Sequence, residues 1–144
     1  MQIGRLSKAD LDAHRRLMLE AYALHPDAFT SSAQERAALP MSWWAGGACW
    51  NRPRVVLGAR VDDEVCGVAG MSFSSRSKTR HKAKLFGMYV PVQHRGGDAG
   101  RALLRAALLA ARNRGGIELV QLSVTQGNVA AERLYSEHGF EVFG

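Results

Sequence analysis

Residues 89–104 read Tyr-Val-Pro-Val-Gln-His-Arg-Gly-Gly-Asp-Ala-Gly-Arg-Ala-Leu-Leu, and no other stretch limits the fold so tightly. An extended apolar run over residues 85–90 meets Pro91, then glycines at 96, 97 and 100, then a helical stripe at Leu103, Leu104, Ala107, Leu108 and Ala111. A strand therefore feeds a glycine-rich turn, and the turn feeds an amphipathic helix. Glycines let the backbone come close to a ligand, and a helix N-terminus offers unpaired N–H groups with about half a positive charge. Arg95 and Arg101 stand on either side of this anion cradle. The glycine spacing is not GxGxxG, and Gly100 is followed by Arg101-Ala102 instead of Lys-Ser or Lys-Thr, so dinucleotide binding and nucleotide hydrolysis are both disfavoured.

The rest of the chain reads as mixed α/β. Residues 2–6 form a short strand, and Ser7 with Asp10 brackets the start of a helix running to Leu24, with Leu11, Leu17, Met18, Ala21 and Leu24 on one face. His25-Pro26-Asp27 ends it, because the residue before proline is driven out of the helical region. A second helix is predicted over 32–39, stopped by Pro40. Trp43, Trp44 and Trp50, among Gly46 and Gly47, either pack on the core or wall a substrate pocket. Residues 55–61 and 65–73 form a hairpin around Asp62-Asp63-Glu64, and a strand follows over 85–90. The helix over 100–112 closes at Gly115-Gly116, a strand over 117–125 carries apolar residues on both faces and is expected to be central, a helix covers 128–138, and a last strand begins at 140–143. The strand–helix–strand unit near 85–125 suits a parallel pair within an otherwise antiparallel sheet. The 144 residues make one domain, long enough to bury about 68–70% of the unfolded surface without a disulfide or metal.

Composition removes other classes. Cys49 and Cys66 match no metal-ligand spacing, and the five histidines show none either, so no metal site is expected. A net charge of +6 favours an anionic ligand. Five basic residues fall between Arg76 and Lys84, but without interleaved aromatics they match no groove-reading motif, which disfavours nucleic acid as a partner. No apolar run spans a membrane and the N-terminus has no signal-peptide core, so a cytoplasmic protein is expected.

The glycine-rich segment resembles the coenzyme A loop of the GNAT superfamily of N-acetyltransferases. Arg95, Gly96 and Gly100 match its pattern, as does the helix start at Arg101-Ala102-Leu103-Leu104. Asp98 replaces the usual middle glycine, and its carboxylate faces an expected anion, although aspartate tolerates a left-handed backbone. A second segment, from Asn128 to Phe140, is similar to the family's Asn-x-x-Ala-x-x-Leu-Tyr-x-x-x-Gly-Phe at every fixed position. The resemblance implies a GNAT fold over residues 1–144, with a mostly antiparallel sheet and a splayed parallel strand pair holding acetyl-CoA.

Carried over residue by residue, it implies that Met88 and Val90 offer backbone groups to the pantetheine arm. Arg95, Gly96, Gly97, Asp98, Ala99, Gly100 and Arg101 would cradle the pyrophosphate, and Asn128 would bond the cofactor arm. Tyr135 would protonate the departing thiolate. The implied reaction is acetyl transfer from acetyl-CoA to a primary amine, on a small molecule or a protein, by direct attack. A coenzyme A-binding but catalytically degraded module and a basic nucleic-acid-binding domain are the competing readings. No base stands on the strand where many family members carry a glutamate, leaving Glu35, His81 and Glu118 open. The family's domain usually continues past the Gly-Phe turn, so the last strand is expected to be missing, and the edge left behind invites a homodimer.

Overall fold

A computed structural model describes residues 1–25, 33–40, 44, 54–73, 78, 80–91, 94, 98–122 and 129–141. The strands are β1 (Gln2–Arg5), β2 (Arg54–Val61), β3 (Glu64–Phe73), β4 (Lys82–Tyr89) and β5 (Leu119–Gln121). The helices are α1 (Leu11–Leu24), α2 (Ala33–Ala37), α3 (Ala99–Arg114) and α4 (Val129–Glu137), and a 3₁₀ turn (Lys8–Asp10) precedes α1. The strands pair in the order β1-β2-β3-β4-β5, antiparallel except for the β4–β5 pair, which is parallel. This is the open, mixed sheet expected from the sequence, with α3 as the crossover between its parallel strands.

Local chemistry sets the element ends. The Ser7 backbone N–H donates to the Asp10 carboxylate at 2.9 Å, which fixes the turn into α1. Arg60 on β2 holds the same carboxylate at 2.6 Å and, through that hydrogen bond, lowers its pKa. The hairpin turn places Asp62 and Asp63 at φ 52° and 65°, a conformation aspartate adopts more readily than most residues. At the end of α3, Gly115 takes φ 82°, and Arg114 lays its guanidinium 4.4 Å from the centroid of the Phe73 ring.

The two sheet faces carry separate cores. On one, Leu103, Leu104, Ala107 and Ala111 of α3 pack on Leu57, Ala69, Met71 and Leu85. On the other, Leu17, Met18 and Ala21 of α1 pack with Leu6, Val56, Val68 and Trp44. Trp44 is 2% exposed and belongs to this core, as the packing reading had it; Trp43, Trp50 and Cys49 lie outside the described residues. Leu24, expected on the buried face, is 62% exposed at the last residue of α1.

Two expectations change. Among the described residues the segment over 117–125 is last in the sheet instead of central: β5 covers Leu119–Gln121 and pairs with β4 alone. Its apolar residues on both faces have another cause, since Ile117, Val120 and Leu122 pack on the α3-side core while Leu119 is exposed. Phe140 and Glu141 are not in a strand, and residues 142–144 lie outside the described residues.

His14 sits on the buried face of α1, its ring edge-on to Trp44 at 6.0 Å, and its Nδ1 has no hydrogen-bond partner among the described residues. Burial lowers its pKa from 6.5 to about 4. The unfolded chain therefore binds this proton first, and the stability lost on acidification falls between those two pH values. Denaturant titrations should show about 3 kcal/mol of stability disappearing across that window, and a His14→Phe variant should lose most of that slope.

Candidate functional site

The parallel pairing of β4 and β5 is short. It matches Lys82 with Leu119, Ala83 with Val120 and Lys84 with Gln121. β4 then runs on to Tyr89, while β5 stops at Gln121. Over residues 85–88 the β5 side of β4 has no strand partner among the described residues. Backbone N–H and C=O groups left without a strand must find another partner, which a ligand lying in the gap would supply.

A bulge shapes this free stretch. Across from β3, Phe86 pairs with Gly70 and Tyr89 with Val68, so three steps on β4 match two on β3. Gly87 takes φ +57° within it. The extra residue reverses the alternation of side chains. Leu85 faces α3 and Phe86 faces α1, so regular pleating would send Met88 to the α1 face and Tyr89 to the α3 face. Instead Met88 joins the α3-side core and Tyr89 the α1-side core. Sequence reasoning missed the bulge, although a glycine inside a strand was its signal.

Met88 thereby reaches the residues of the other matching segments. The Tyr135 hydroxyl on α4 donates to Met88 Sδ at 3.7 Å. A Cβ placed on Gly100, in the first turn of α3, would lie 3.8 Å from both the Met88 methyl and Leu134. Three residues far apart in the chain, Met88, Gly100 and Tyr135, thus meet at the open end of the gap. Val90 faces the α3 side with Met88. The Tyr135 ring packs edge-on to Phe140 at 5.8 Å, and burial raises the phenol's pKa, so it stays protonated at neutral pH.

The cradle is seen from Asp98 onward; Arg95, Gly96, Gly97 and Asn128 lie outside the described residues. Asp98 is the N-cap of α3 at φ −91° and ψ 7°, so the left-handed backbone considered for it is not adopted. The Ala102 N–H donates to the Asp98 carbonyl at 2.8 Å, and helix geometry gives the N–H groups of Ala99, Gly100 and Arg101 no intrahelical acceptor. These donors fit a pyrophosphate, but the exposed Asp98 carboxylate shares their end of the helix. Arg101 reaches the other way, to Glu137 of α4 at 2.9 Å.

The three open candidates for a base fare differently. The His81 carbonyl accepts from the N–H groups of Glu118 and Leu119, at 2.8 and 3.0 Å, so both His81 and Glu118 sit at the N-terminal end of the strand pair. Six residues of strand separate that end from Met88, roughly 20 Å. Glu35 is exposed on α2. His138 on α4's C-terminal side holds the Leu134 carbonyl through Nδ1 at 2.8 Å. Among the described residues no cluster of His, Cys, Asp or Glu could hold a metal, and no helix is long and apolar enough to cross a membrane.

A sheet open between parallel strands, with a helix N-terminus at one end and a tyrosine at the gap, is the architecture of an acyltransferase that uses a coenzyme A thioester. The family model for the acetyltransferase (GNAT) family matches residues 14–140, and the chain belongs to that family, whose acyl donor is acetyl-CoA. Among solved structures, the ribosomal-protein-alanine N-acetyltransferase from Brucella melitensis is 26% identical with a TM-score of 0.76, over 100% of this chain and 86% of that one. The yncA protein of Salmonella typhimurium, solved with its cofactor acetyl-CoA, is 26% identical with a TM-score of 0.79, over 100% of this chain and 81% of that one. A GNAT acetyltransferase from Streptococcus pneumoniae shares the fold at a TM-score of 0.81 and 22% identity, over 99% and 86% of the two chains. No curated protein matches the sequence significantly.

Because the bulge depends on a positive φ, Gly87→Ala should cost about 1–2 kcal/mol in urea denaturation. Gly4→Ala, directed into open space, should stay within about 0.5 kcal/mol of wild type.

Proposed function

We propose that this chain transfers the acetyl group of acetyl-CoA to a primary amine, on a small molecule or a protein, by direct attack. Acetyl-CoA supplies an activated thioester carbonyl. The backbone of Met88 on β4 and of Val90 just after it takes the pantetheine arm where the β4–β5 pairing has ended. The turn and first helical residues, Arg95, Gly96, Gly97, Asp98, Ala99, Gly100 and Arg101, take the pyrophosphate, and Asn128 bonds the cofactor arm. Tyr135 gives its proton to the departing sulfur. The observation that carries this reading is the Tyr135 hydroxyl held on Met88 at the mouth of the gap. The phenol is neutral and has a proton to give, because burial raises its pKa.

Direct attack is favoured over a cysteine relay. Cys66 is buried, and desolvation raises its pKa, so it is a thiol and not the thiolate a relay needs. The Asp98 carboxylate at the α3 N-terminus is the one observation favouring the degraded alternative, in which donor binding is weak.

Calorimetry with acetyl-CoA and thiol release over a panel of amines test both readings. Wild type should bind acetyl-CoA and release thiol only when an amine is present. Tyr135→Phe should lower kcat by about 10²–10⁴-fold while leaving acetyl-CoA affinity near wild type. Asp98→Asn should tighten acetyl-CoA binding by about 2–5-fold at low salt, as expected for removing one negative charge from a helix N-terminus. Binding without any thiol release would select the degraded module.

A further inference from the structure

The bulge that turns Met88 toward Tyr135 turns its neighbour Tyr89 the opposite way. Tyr89 is 5% exposed, and its hydroxyl donates to Oε2 of Glu20, on α1, at 2.7 Å. Glu20 is partly buried, and its other carboxylate oxygen has no hydrogen-bond partner among the described residues. The carboxylate also lines a cleft of about 90 Å³ formed between α1, the start of β3 and the turn after β4. That space is well below the 300 Å³ or so of a small-molecule pocket, but it holds water or an amine head group.

We infer that Glu20 is the carboxylate that receives the acceptor: it attracts the incoming ammonium and takes its proton, with Tyr89 as the residue that positions it. The inference rests on the acetyl-transfer reading above. Met88 and Tyr89 are consecutive residues on opposite faces of β4, the strand that borders the gap, so Tyr135 meets it at Met88 on the α3 side and Glu20 meets it at Tyr89 on the α1 side. Transfer to an amine needs this opposition, with an acid at the leaving sulfur and a base at the attacking nitrogen. β4 itself carries no carboxylate between Lys82 and Tyr89, and Glu20 supplies one from the neighbouring helix.

The proton balance closes. The amine arrives as an ammonium and passes one proton to Glu20. Its lone pair forms the C–N bond while the C–S bond breaks with its electron pair on sulfur, which takes the Tyr135 proton. The second nitrogen proton restores the phenol, and Glu20 releases its own proton through the cleft, so the products are one amide, one thiol and one proton. The titratable and charged groups around Glu20 are Tyr89 of β4, which donates to it, and Arg16 of α1, Glu64 and Cys66 of β3 and His94 of the following turn, which line the same cleft; the His25 ring lies against Tyr89 at 5.8 Å.

The test compares wild type, Glu20→Gln, Glu20→Asp and Tyr89→Phe in thiol release at saturating acetyl-CoA. The acceptors are 1,4-diaminobutane, an α-amino acid amide and a peptide with a free N-terminus. At neutral pH, Glu20→Gln should lose about 10²–10⁴-fold in kcat/KM for the amine, with acetyl-CoA affinity unchanged by calorimetry. The loss should shrink as the pH approaches the amine's own pKa, where the acceptor arrives neutral and needs no base. Glu20→Asp should recover part of the rate, and Tyr89→Phe should lose less than Glu20→Gln. Wild-type rates in Glu20→Gln at every pH would overturn the assignment. So would a pH-independent loss matched by weaker acetyl-CoA binding, which marks a structural role. A wild type that binds acetyl-CoA but acetylates none of the three acceptors overturns the transfer reading, and Glu20's role falls with it.

Discussion

Gly87, at φ +57°, carries the one extra residue of β4, and most of what distinguishes this sheet follows from it. A period-2 strand assigns every side chain to a face, so a single inserted residue reassigns all that follow. Met88 and Val90 consequently face α3 and α4, and Tyr89 faces α1. The bulge also bends the strand where its parallel pairing with β5 has already ended, after Lys84 and Gln121. A straight β4 would put Tyr89 against α3 and leave Tyr135 without its methionine. Only a residue content with a left-handed backbone holds this geometry cheaply, which is why glycine stands there.

Electrostatics at the other end of the gap are more evenly balanced than the net charge of +6 suggests. The N-terminus of α3 presents free N–H groups, but Asp98 caps it with a carboxylate that suits the helix dipole and opposes a second anion. Arg101, placed by its sequence position to meet a phosphate, is bonded to Glu137 of α4 at 2.9 Å. Both partners are about half exposed, so the pair adds little to stability. Its geometric effect is larger, because it ties the first turn of α3 to the helix that carries Tyr135.

Much of this was legible in the sequence. The amphipathic stripes of α1 and α3, the hairpin turn at Asp62-Asp63 and the parallel crossover follow from periodicity and turn chemistry, and each lies within a few residues of expectation. Tyr135 and Gly100 were legible through motif spacing. The position of the 117–125 segment was not, because the apolar but exposed Leu119 reads like a second buried face, and so like a central strand. The bulge was signalled by one glycine in Phe-Gly-Met, but nothing local says which way a strand resumes after it. Glu20 was invisible for a different reason: its partner is 69 positions away, and a glutamate on an amphipathic helix reads as solvated.

That difference reflects how the two substrates are held. In the proposed reading the donor meets mainly main chain, the helix N–H groups and the strand edge beyond the β4–β5 pairing, and this requires glycines and a turn at fixed offsets. Such requirements leave a local pattern that can be read along the chain, here over residues 89–104. The acceptor side, on the inference above, is built from side chains that different elements bring together, α1 and the far face of β4, with no fixed spacing between them. One face of the gap can therefore keep its chemistry while the other changes its residues freely, since the bulge holds both in register without specifying what stands on α1.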